Sequence, residues 1–130
     1  MAWQFQKHYT LEEARAMLPK VRQWLDELKE ARTRLAQLER RLAPLLKAGH
    51  DVGGELVHQR VKSIAAIQKR LHEFHLKEIQ IKDLDRGLLD FPAILAGREV
   101  FFCWESDEED IEFWHELDTG YAGRVRLPEA

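Results

Sequence analysis

The sequence predicts an α+β fold in which a long antiparallel helical hairpin is packed at its base on a small, mainly antiparallel β-sheet. Two observations predict this fold: a stripe of apolar residues at steps of three or four runs through the first half of the chain, and apolar and polar residues alternate in the last third. We expect a single domain over residues 1–130, with a strand at 1–9, the hairpin at 10–78 and a β-rich acidic part at 79–130.

The N-terminal residues predict a short strand followed by a helix. Trp3 and Phe5 alternate with glutamines within residues 1–9, which is the pattern of a strand with one apolar side. Thr10 and Glu13 have the spacing of a capping box, in which each side chain accepts a backbone N–H from the other residue. We therefore expect the first helix to begin at Leu11.

The first helix is expected to run from residue 11 to residue 47. Its apolar stripe contains Leu11, Ala14, Leu18, Val21, Leu25, Leu28, Ala31, Leu35, Leu38, Leu42 and Leu45. Pro19 has no N–H and crowds the preceding turn, so we expect a kink there. Pro44, followed by Lys47 and Gly49, predicts the end of the helix.

A loop at 49–54 is expected to lead into a second helix that folds back on the first. The stripe of this helix contains Val57, Val61, Ile64, Ile67, Leu71 and Phe74. A hairpin of two helices leaves one apolar face uncovered. We therefore expect the helices of a second copy to cover it, which gives a homodimer with a four-helix arrangement.

The β-rich part predicts three strands. Apolar and polar residues alternate at 79–82 and again at 111–116, and residues 100–104 form an apolar run rich in aromatic side chains. Acidic residues and a serine at 106–110 predict the turn between the last two strands.

The formal charge of −3 conceals an asymmetry between the two parts of the chain. Residues 1–78 carry 15 basic and 10 acidic side chains, and residues 79–130 carry 5 basic and 13 acidic ones. The acidic part would repel phosphate, and no aromatic residue lies near the basic tip of the hairpin. Nucleic acid is therefore not expected as a partner.

The location expected from the sequence is the cytoplasm. The longest apolar run has five residues, whereas a helix that crosses a bilayer needs roughly 20. The N-terminus lacks the pattern of a secretory leader, and the single cysteine cannot form a disulfide within the chain. We expect no association with a membrane.

The candidate metal site lies in the β-rich part and consists of Asp83, Asp85, Asp90, His115 and Asp118. Carboxylates offer hard oxygens and imidazole offers a borderline nitrogen, a combination that binds Zn²⁺, Mn²⁺ or Fe²⁺. We expect Asp83 and Asp85 at the end of a strand, with His115 near the surface on a neighbouring strand. The alternative is structural, because Asp85 and Asp90 on either side of Gly87 can satisfy backbone donors in a tight turn.

Three further polar candidates in this part are Arg86, Cys103 and Arg124. The two arginines would either face a ligand or pair with carboxylates. Cys103 lies in an apolar run, where a thiol packs as a small hydrophobic group with a raised pKa. It could act as a nucleophile only with His115 beside it on the same face of the sheet.

Four strings occur in order along the chain: TLEEA at Thr10, IKDLDRGLLDFPA from Ile81, GREVFFCW from Gly97 and FWHELDTGYAGR from Phe113. With these strings the chain resembles an uncharacterised bacterial family, domain of unknown function 2203. The resemblance extends from about residue 9 to residue 126. It implies no activity and supplies no catalytic residue.

Two classes of function follow from the sequence. The long helices and the absence of a complete catalytic motif favour a non-enzymatic interaction module that self-associates and can also bind a protein partner. The alternative is a protein that binds a divalent metal, or a metal-dependent hydrolase, with the Asp/His residues of the C-terminal part as ligands.

Overall fold

The computed structural model describes residues 2–49 and 54–128, and within them it has the expected α+β class with an antiparallel sheet. The helices are α1 (Leu11–Ala16), α2 (Leu18–Lys47) and α3 (Glu55–Leu76), and the strands are β1 (Gln80–Asp83), β2 (Leu88–Leu95), β3 (Arg98–Trp104), β4 (Phe113–Glu116) and β5 (Val125–Arg126). The chain divides into two compact units. The sheet unit contains the described residues up to Gln23 and from Glu73 onward, and the helical unit contains residues 24–72.

The first helix begins and bends where the sequence predicts. The Thr10 hydroxyl accepts the Glu13 N–H and the Glu13 carboxylate accepts the Thr10 N–H, so the capping box is confirmed. The kink expected at Pro19 takes the form of a break between α1 and α2. Met17 lies at this break and shares its N–H between the carbonyls of Glu13 and Ala14. The end of α2 at Lys47 is confirmed.

In the helical unit, α2 and α3 run antiparallel. Arg70 pairs with Glu27, and the Arg60 Nε lies 3.3 Å from the Glu39 Oε1, so residues later in α3 meet residues earlier in α2. Of the loop expected at 49–54, residues 50–53 lie outside the described residues. Among the described residues, no helix is both long and apolar enough to span a bilayer.

The face of α3 that meets α2 differs from the expected apolar stripe. Val57, Val61 and Leu71 of that stripe are 40%, 56% and 45% exposed, whereas Ser63 is buried. Ser63 lies seven residues before Arg70, so the two share one face, and Arg70 reaches Glu27 on α2. The helix is therefore turned so that this face approaches α2 and part of the apolar stripe stays in solvent.

The sheet is an antiparallel meander in the order β1-β2-β3-β4-β5. The predicted strands near 79–82, 100–104 and 111–116 correspond to β1, β3 and β4, and the turn predicted at 106–110 lies between β3 and β4. The sequence did not predict β2 or β5. Because β2 lies between β1 and β3, β1 is not the neighbour of β4, and the expectation that Asp83 lies beside the strand of His115 is wrong.

The strand expected at 1–9 is also wrong. Residues 2–9, which we call the N-terminal strap, have no regular secondary structure. Their N–H groups are satisfied mainly by side chains: those of Gln4 and Phe5 donate to the Glu99 carboxylate, and that of Gln6 donates to the Glu78 carboxylate. An alternating pattern predicts an apolar side but does not establish that a neighbouring strand is present to pair with it.

Candidate metal centre

Three strands of the sheet bring Asp90, Cys103 and His115 together on one face. In the register of the sheet, Asp90 of β2 lies opposite Cys103 of β3, and His115 of β4 lies opposite Phe101. Alternate residues of a strand point to the same face, so Phe101 and Cys103 share a face of β3. His115 is therefore diagonal to Cys103, on the face that also carries Asp90.

The three side chains offer one ligand atom each at metal-binding distances. A carboxylate oxygen of Asp90, the Cys103 Sγ and a ring nitrogen of His115 all lie within 4.8 Å of one another. A tetrahedral Zn²⁺ with bonds of about 2.0–2.3 Å needs its ligand atoms roughly 3.3–3.8 Å apart. Small side-chain shifts are therefore enough to close these three atoms around one ion.

The protonation of the His115 ring is fixed by the backbone. Its Nδ1 lies 2.6 Å from the Glu116 carbonyl oxygen, which can only accept a hydrogen bond, so the Nδ1 carries a proton and donates it. The Nε2 then faces Asp90. Metal-binding histidines characteristically donate the second ring N–H to a carbonyl or carboxylate in this way, which orients the ring and makes the other nitrogen a better ligand.

The atoms that face each other across the site are buried without a formed hydrogen bond. The His115 Nε2 and the Asp90 Oδ1 lie 3.0 Å apart, and both residues are 1% exposed. Among the described residues, neither atom has a hydrogen bond of acceptable geometry. Two buried acceptor atoms at this distance repel each other unless a cation, either a proton or a metal ion, lies between them.

Burial and charge shift the pKa values of two of these groups. Burial opposes protonation of His115, but the Asp90 carboxylate and the Glu116 carbonyl outweigh it and raise the pKa of the imidazole. Burial, reinforced by the Asp90 charge and only partly opposed by Arg124, raises the pKa of the Cys103 thiol to about 12. Cys103 is therefore a thiol at neutral pH, and it is fully buried. Such a thiol is a poor nucleophile.

A pocket of about 310 Å³ opens over the Asp90 and His115 side of the cluster. Besides these two residues, the pocket is lined by Lys82, Leu88, Leu117, Asp118, Thr119, Gly120 and Tyr121. An ion held by the three buried side chains would have its remaining coordination position on the pocket side. Three protein ligands with one open position is the arrangement of catalytic zinc sites.

The sequence-predicted ligands separate into two groups. Asp90 and His115 belong to the buried cluster, and Asp118 lines the pocket as an exposed side chain. Asp83 and Asp85 belong neither to the buried cluster nor to the lining of the pocket. Asp83 ends β1, where its Oδ1 accepts the N–H of Arg86, and Asp85 is exposed in the turn that follows. The structural alternative, in which Asp85 and Asp90 satisfy backbone donors of a turn, is wrong for Asp90, which lies within β2. Asp83 is the residue that accepts a backbone N–H of the turn.

The expected position of His115 is wrong, and the alternative left open for Arg86 and Arg124 can be decided. His115 was expected near the surface, but it is buried: β4 lies between β3 and β5, and the His115 ring contacts that of Phe101 with the ring centres 5.5 Å apart. The two arginines pair with carboxylates: the Arg86 Nε lies 2.8 Å from the Glu105 Oε1, and the Arg124 guanidinium lies 2.5 Å from the Glu108 Oε2. Of the three extra candidates, only Cys103 belongs to the cluster.

Lys82 is a pocket residue that the sequence did not indicate, and Tyr121 also lines the pocket. Lys82 lies on β1 with its Nζ 5.3 Å from the centre of the Phe101 ring, and Tyr121 lies in a short 3₁₀ helix with the Arg86 and Arg124 guanidiniums against its ring. A lysine in an alternating segment reads as an ordinary solvent-facing residue. Only the order of the strands shows that it lies beside the site.

Fold and site together define an α+β protein with a buried Asp/Cys/His cluster beneath a small pocket. The chain belongs to the family described as "Uncharacterized conserved protein (DUF2203)", whose family model matches residues 7–127. No curated protein and no solved structure matches this chain. The function is therefore argued from the geometry of the site.

Proposed function

We propose that this protein binds one divalent transition-metal ion, Zn²⁺ in preference to Mn²⁺ or Fe²⁺, through Asp90, Cys103 and His115. The observation that carries the proposal is the buried contact between the Asp90 Oδ1 and the His115 Nε2, 3.0 Å apart and without a formed hydrogen bond, next to a thiol. A metal ion placed among these atoms satisfies both of them and uses the sulfur as a third ligand.

The donor set favours zinc. A thiolate is a soft ligand that selects zinc over manganese, and imidazole and carboxylate complete a mixed set that zinc accepts with tetrahedral geometry. Binding deprotonates Cys103, whose thiol is otherwise protonated at neutral pH. The negative charges of Asp90 and of the thiolate then neutralise the two positive charges of the ion, so that the buried centre carries no net charge.

The open coordination position connects the proposal to metal-dependent hydrolysis. A water bound there would face the pocket, and zinc lowers the pKa of such a water to about 7. This is the chemistry by which zinc hydrolases make a nucleophile at neutral pH. Hydrolysis is the extension of the proposal that a screen with hydrolysable substrates would test after metal binding is measured.

Metal content is the direct test of binding. The untagged chain, purified without chelators and dialysed against a slight excess of Zn²⁺, should retain about one ion per chain by elemental analysis. Cys103→Ser and Asp90→Asn keep the side-chain volume nearly unchanged but remove one ligand each, and both should lose the ion. A wild-type chain without retained metal would contradict the proposal.

His8→Gln is the matched control for these variants. His8 also contacts a carboxylate, with its Nε2 2.7 Å from the Glu99 Oε2, but it belongs to no cluster of three ligands among the described residues. The His8→Gln chain should retain zinc as the wild type does. Equal losses in His8→Gln and Cys103→Ser would show that metal retention follows general destabilisation instead of this site.

A second proposal concerns the helical unit, where we infer that two copies of the chain associate through α3. The supporting observation is that Val57, Val61 and Leu71 are exposed although they follow the spacing of a helical seam. An identical stripe on a second copy has the same spacing and can pair with it across a two-fold axis. This association makes the protein an interaction module independently of the metal site.

The mass in solution tests this second proposal. Sedimentation equilibrium at micromolar concentration should give the mass of two chains, and Val61→Lys, which places a charge in the middle of the stripe, should give the mass of one. Lys62→Gln is the control on the neighbouring exposed position and should leave the mass unchanged. A wild-type mass of one chain would contradict the association.

A further inference from the structure

We propose that the pocket over the metal centre binds a small ligand that carries both a carboxylate and an ammonium group, of the class of free amino acids. The inference rests on the proposed metal site. The ligand's carboxylate would lie towards the open coordination position and Lys82, and its ammonium group would lie towards Asp118. The contacts of these two rim residues carry the argument.

Lys82 and Asp118 carry opposite charges on the lining of one small pocket. Among the described residues, Lys82 takes part in no ion pair; its ammonium lies against the Phe101 ring, and its charge also acts on the nearby His115 ring. Asp118 likewise has no ion pair or hydrogen bond among the described residues. Both charges are therefore available to a ligand.

The charge of the metal centre decides between ligand classes. A divalent ion with Asp90 and a thiolate is neutral overall, so the rim charges set the selectivity of the pocket. A purely anionic ligand would meet repulsion from Asp118, and a purely cationic one would meet repulsion from Lys82. A ligand with one charge of each sign satisfies both residues.

The size and walls of the pocket limit the rest of the ligand. A volume of about 310 Å³ lies at the lower end of the range of roughly 300–1,000 Å³ for small-molecule sites. Leu88 and Leu117 give the pocket apolar surface beside its charged groups. These features suit an amino acid with a short aliphatic side chain, and we use L-leucine as the probe.

Cobalt-substituted protein provides the measurement. Co²⁺ takes the place of Zn²⁺ and can be followed by absorption. A thiolate-to-cobalt band shows that Cys103 binds the ion, and the ligand-field bands respond to a change at the open position. L-leucine is titrated into the Co²⁺-loaded chain, alongside 4-methylpentanoate, which lacks the amine, and 3-methylbutylamine, which lacks the carboxylate. L-leucine should shift the ligand-field bands at lower concentration than either analogue while the thiolate band is retained.

Two variants of the rim separate the two contacts. Lys82→Gln should weaken both L-leucine and 4-methylpentanoate by about fivefold, as for the loss of one ion pair. Asp118→Asn should weaken L-leucine to a similar extent but leave 4-methylpentanoate unchanged or tighter. Lys62→Gln, which removes the charge of an exposed lysine outside the pocket, is the control and should bind all three probes as the wild type does.

The outcomes distinguish this inference from the proposal on which it rests. Without a thiolate band the metal site fails, and the inference fails with it because the ligand's carboxylate loses its main partner. A thiolate band that is present, with ligand-field bands that L-leucine does not move, leaves the metal site standing and overturns the inference alone. Loss of the thiolate band on adding L-leucine shows removal of the metal by the probe and also overturns it.

Discussion

The sheet unit contains two histidine–carboxylate pairs whose surroundings differ. At the N-terminal strap, the Glu99 carboxylate accepts N–H groups from Gln4 and Phe5 and contacts the His8 ring, so both of its oxygens have donors. At the proposed metal centre, the Asp90 Oδ1 and the His115 Nε2 face each other 3.0 Å apart without a hydrogen bond of acceptable geometry. In the first pair both carboxylate oxygens accept hydrogen bonds, whereas in the second pair the two facing atoms do not complete one.

The two pairs share residue types and distances but differ in what surrounds them. Both pairs place a ring nitrogen 3.0 Å or less from a carboxylate oxygen. Only the second has a sulfur beside it, an N–H to a carbonyl on the far side of the ring, and a pocket at its open side. The following predictions test whether these features make the two pairs behave differently.

The largest expected difference is in the stability of the metal-free protein. Without metal, the raised pKa of His115 favours a proton between its ring and Asp90, so that the two form a buried ion pair. His115→Ala then leaves the Asp90 charge buried without a partner and should lower the free energy of unfolding by about 3–5 kcal/mol. His8→Ala should cost only about 1 kcal/mol, because Glu99 keeps two N–H donors. Urea unfolding monitored by circular dichroism measures both values. Equal losses would show that the two pairs are equivalent structural contacts.

The next difference is in metal affinity. His115→Gln should weaken Zn²⁺ binding by roughly 100-fold or more. Mutation of a residue that only hydrogen-bonds to a metal ligand already lowers the affinity by about 10–100-fold, and His115 is itself a proposed ligand. Asp83→Asn and Asp85→Asn should change it by less than about twofold, because neither residue belongs to the cluster. Competition with a chromophoric chelator measures these affinities. A large effect at Asp83 would place the ion elsewhere.

A smaller difference is expected in the response to acid. Burial favours the neutral form of Glu99, but the His8 ring and the N–H groups of Gln4 and Phe5 outweigh it and lower the pKa of this carboxyl. A lowered pKa in the folded state stabilises the fold above the unfolded value of about 4.3. That contribution is lost as the pH falls through the folded value.

Glu99→Gln isolates this contribution. The wild-type free energy of unfolding should fall more steeply than that of Glu99→Gln as the pH decreases below about 4.3. Urea midpoints measured at several pH values between about 3 and 6 provide the comparison. Parallel curves for the two chains would mean that the strap contact has no part in acid stability.

Much of the fold could be predicted because its signals are local. The capping box at Thr10 and Glu13 depends on residues three positions apart, and the break before Pro19 depends on one missing N–H. The strap could not be predicted from its alternation, since the groups that satisfy Gln4 and Phe5 lie on a glutamate about 95 residues later. Local pattern does not identify such a distant partner.

The missed strand β2 explains why the site was predicted only in part. All six residues from Leu88 to Ala93 are buried, so the strand has no alternation, and Asp90 and Pro92 resemble turn residues. A usable signal was present in Ala96 and Gly97, which connect β2 to β3 as a two-residue turn with positive φ values. If the two strands pair regularly from this turn, beginning with Leu95 opposite Arg98, Asp90 lies opposite Cys103.

The position of His115 could not be obtained in the same way. The connection between β3 and β4 is eight residues long, from 105 to 112, and a loop of this length does not fix a register. Asp83 and Asp85 resembled ligands because they were expected at the end of a strand beside that of His115, but spacing along the chain does not report which strand lies between two others. The sequence therefore indicates the residue types of the candidate site more reliably than which residues form it.

The most direct test of the metal centre is a titration of the metal-free chain with Co²⁺, followed by absorption. We predict a thiolate-to-cobalt band that saturates at one equivalent, with ligand-field bands of tetrahedral intensity, and the loss of the thiolate band in Cys103→Ser but not in His8→Gln. No thiolate band at one equivalent, or the same band in Cys103→Ser, would contradict the assignment of Asp90, Cys103 and His115 as a metal site.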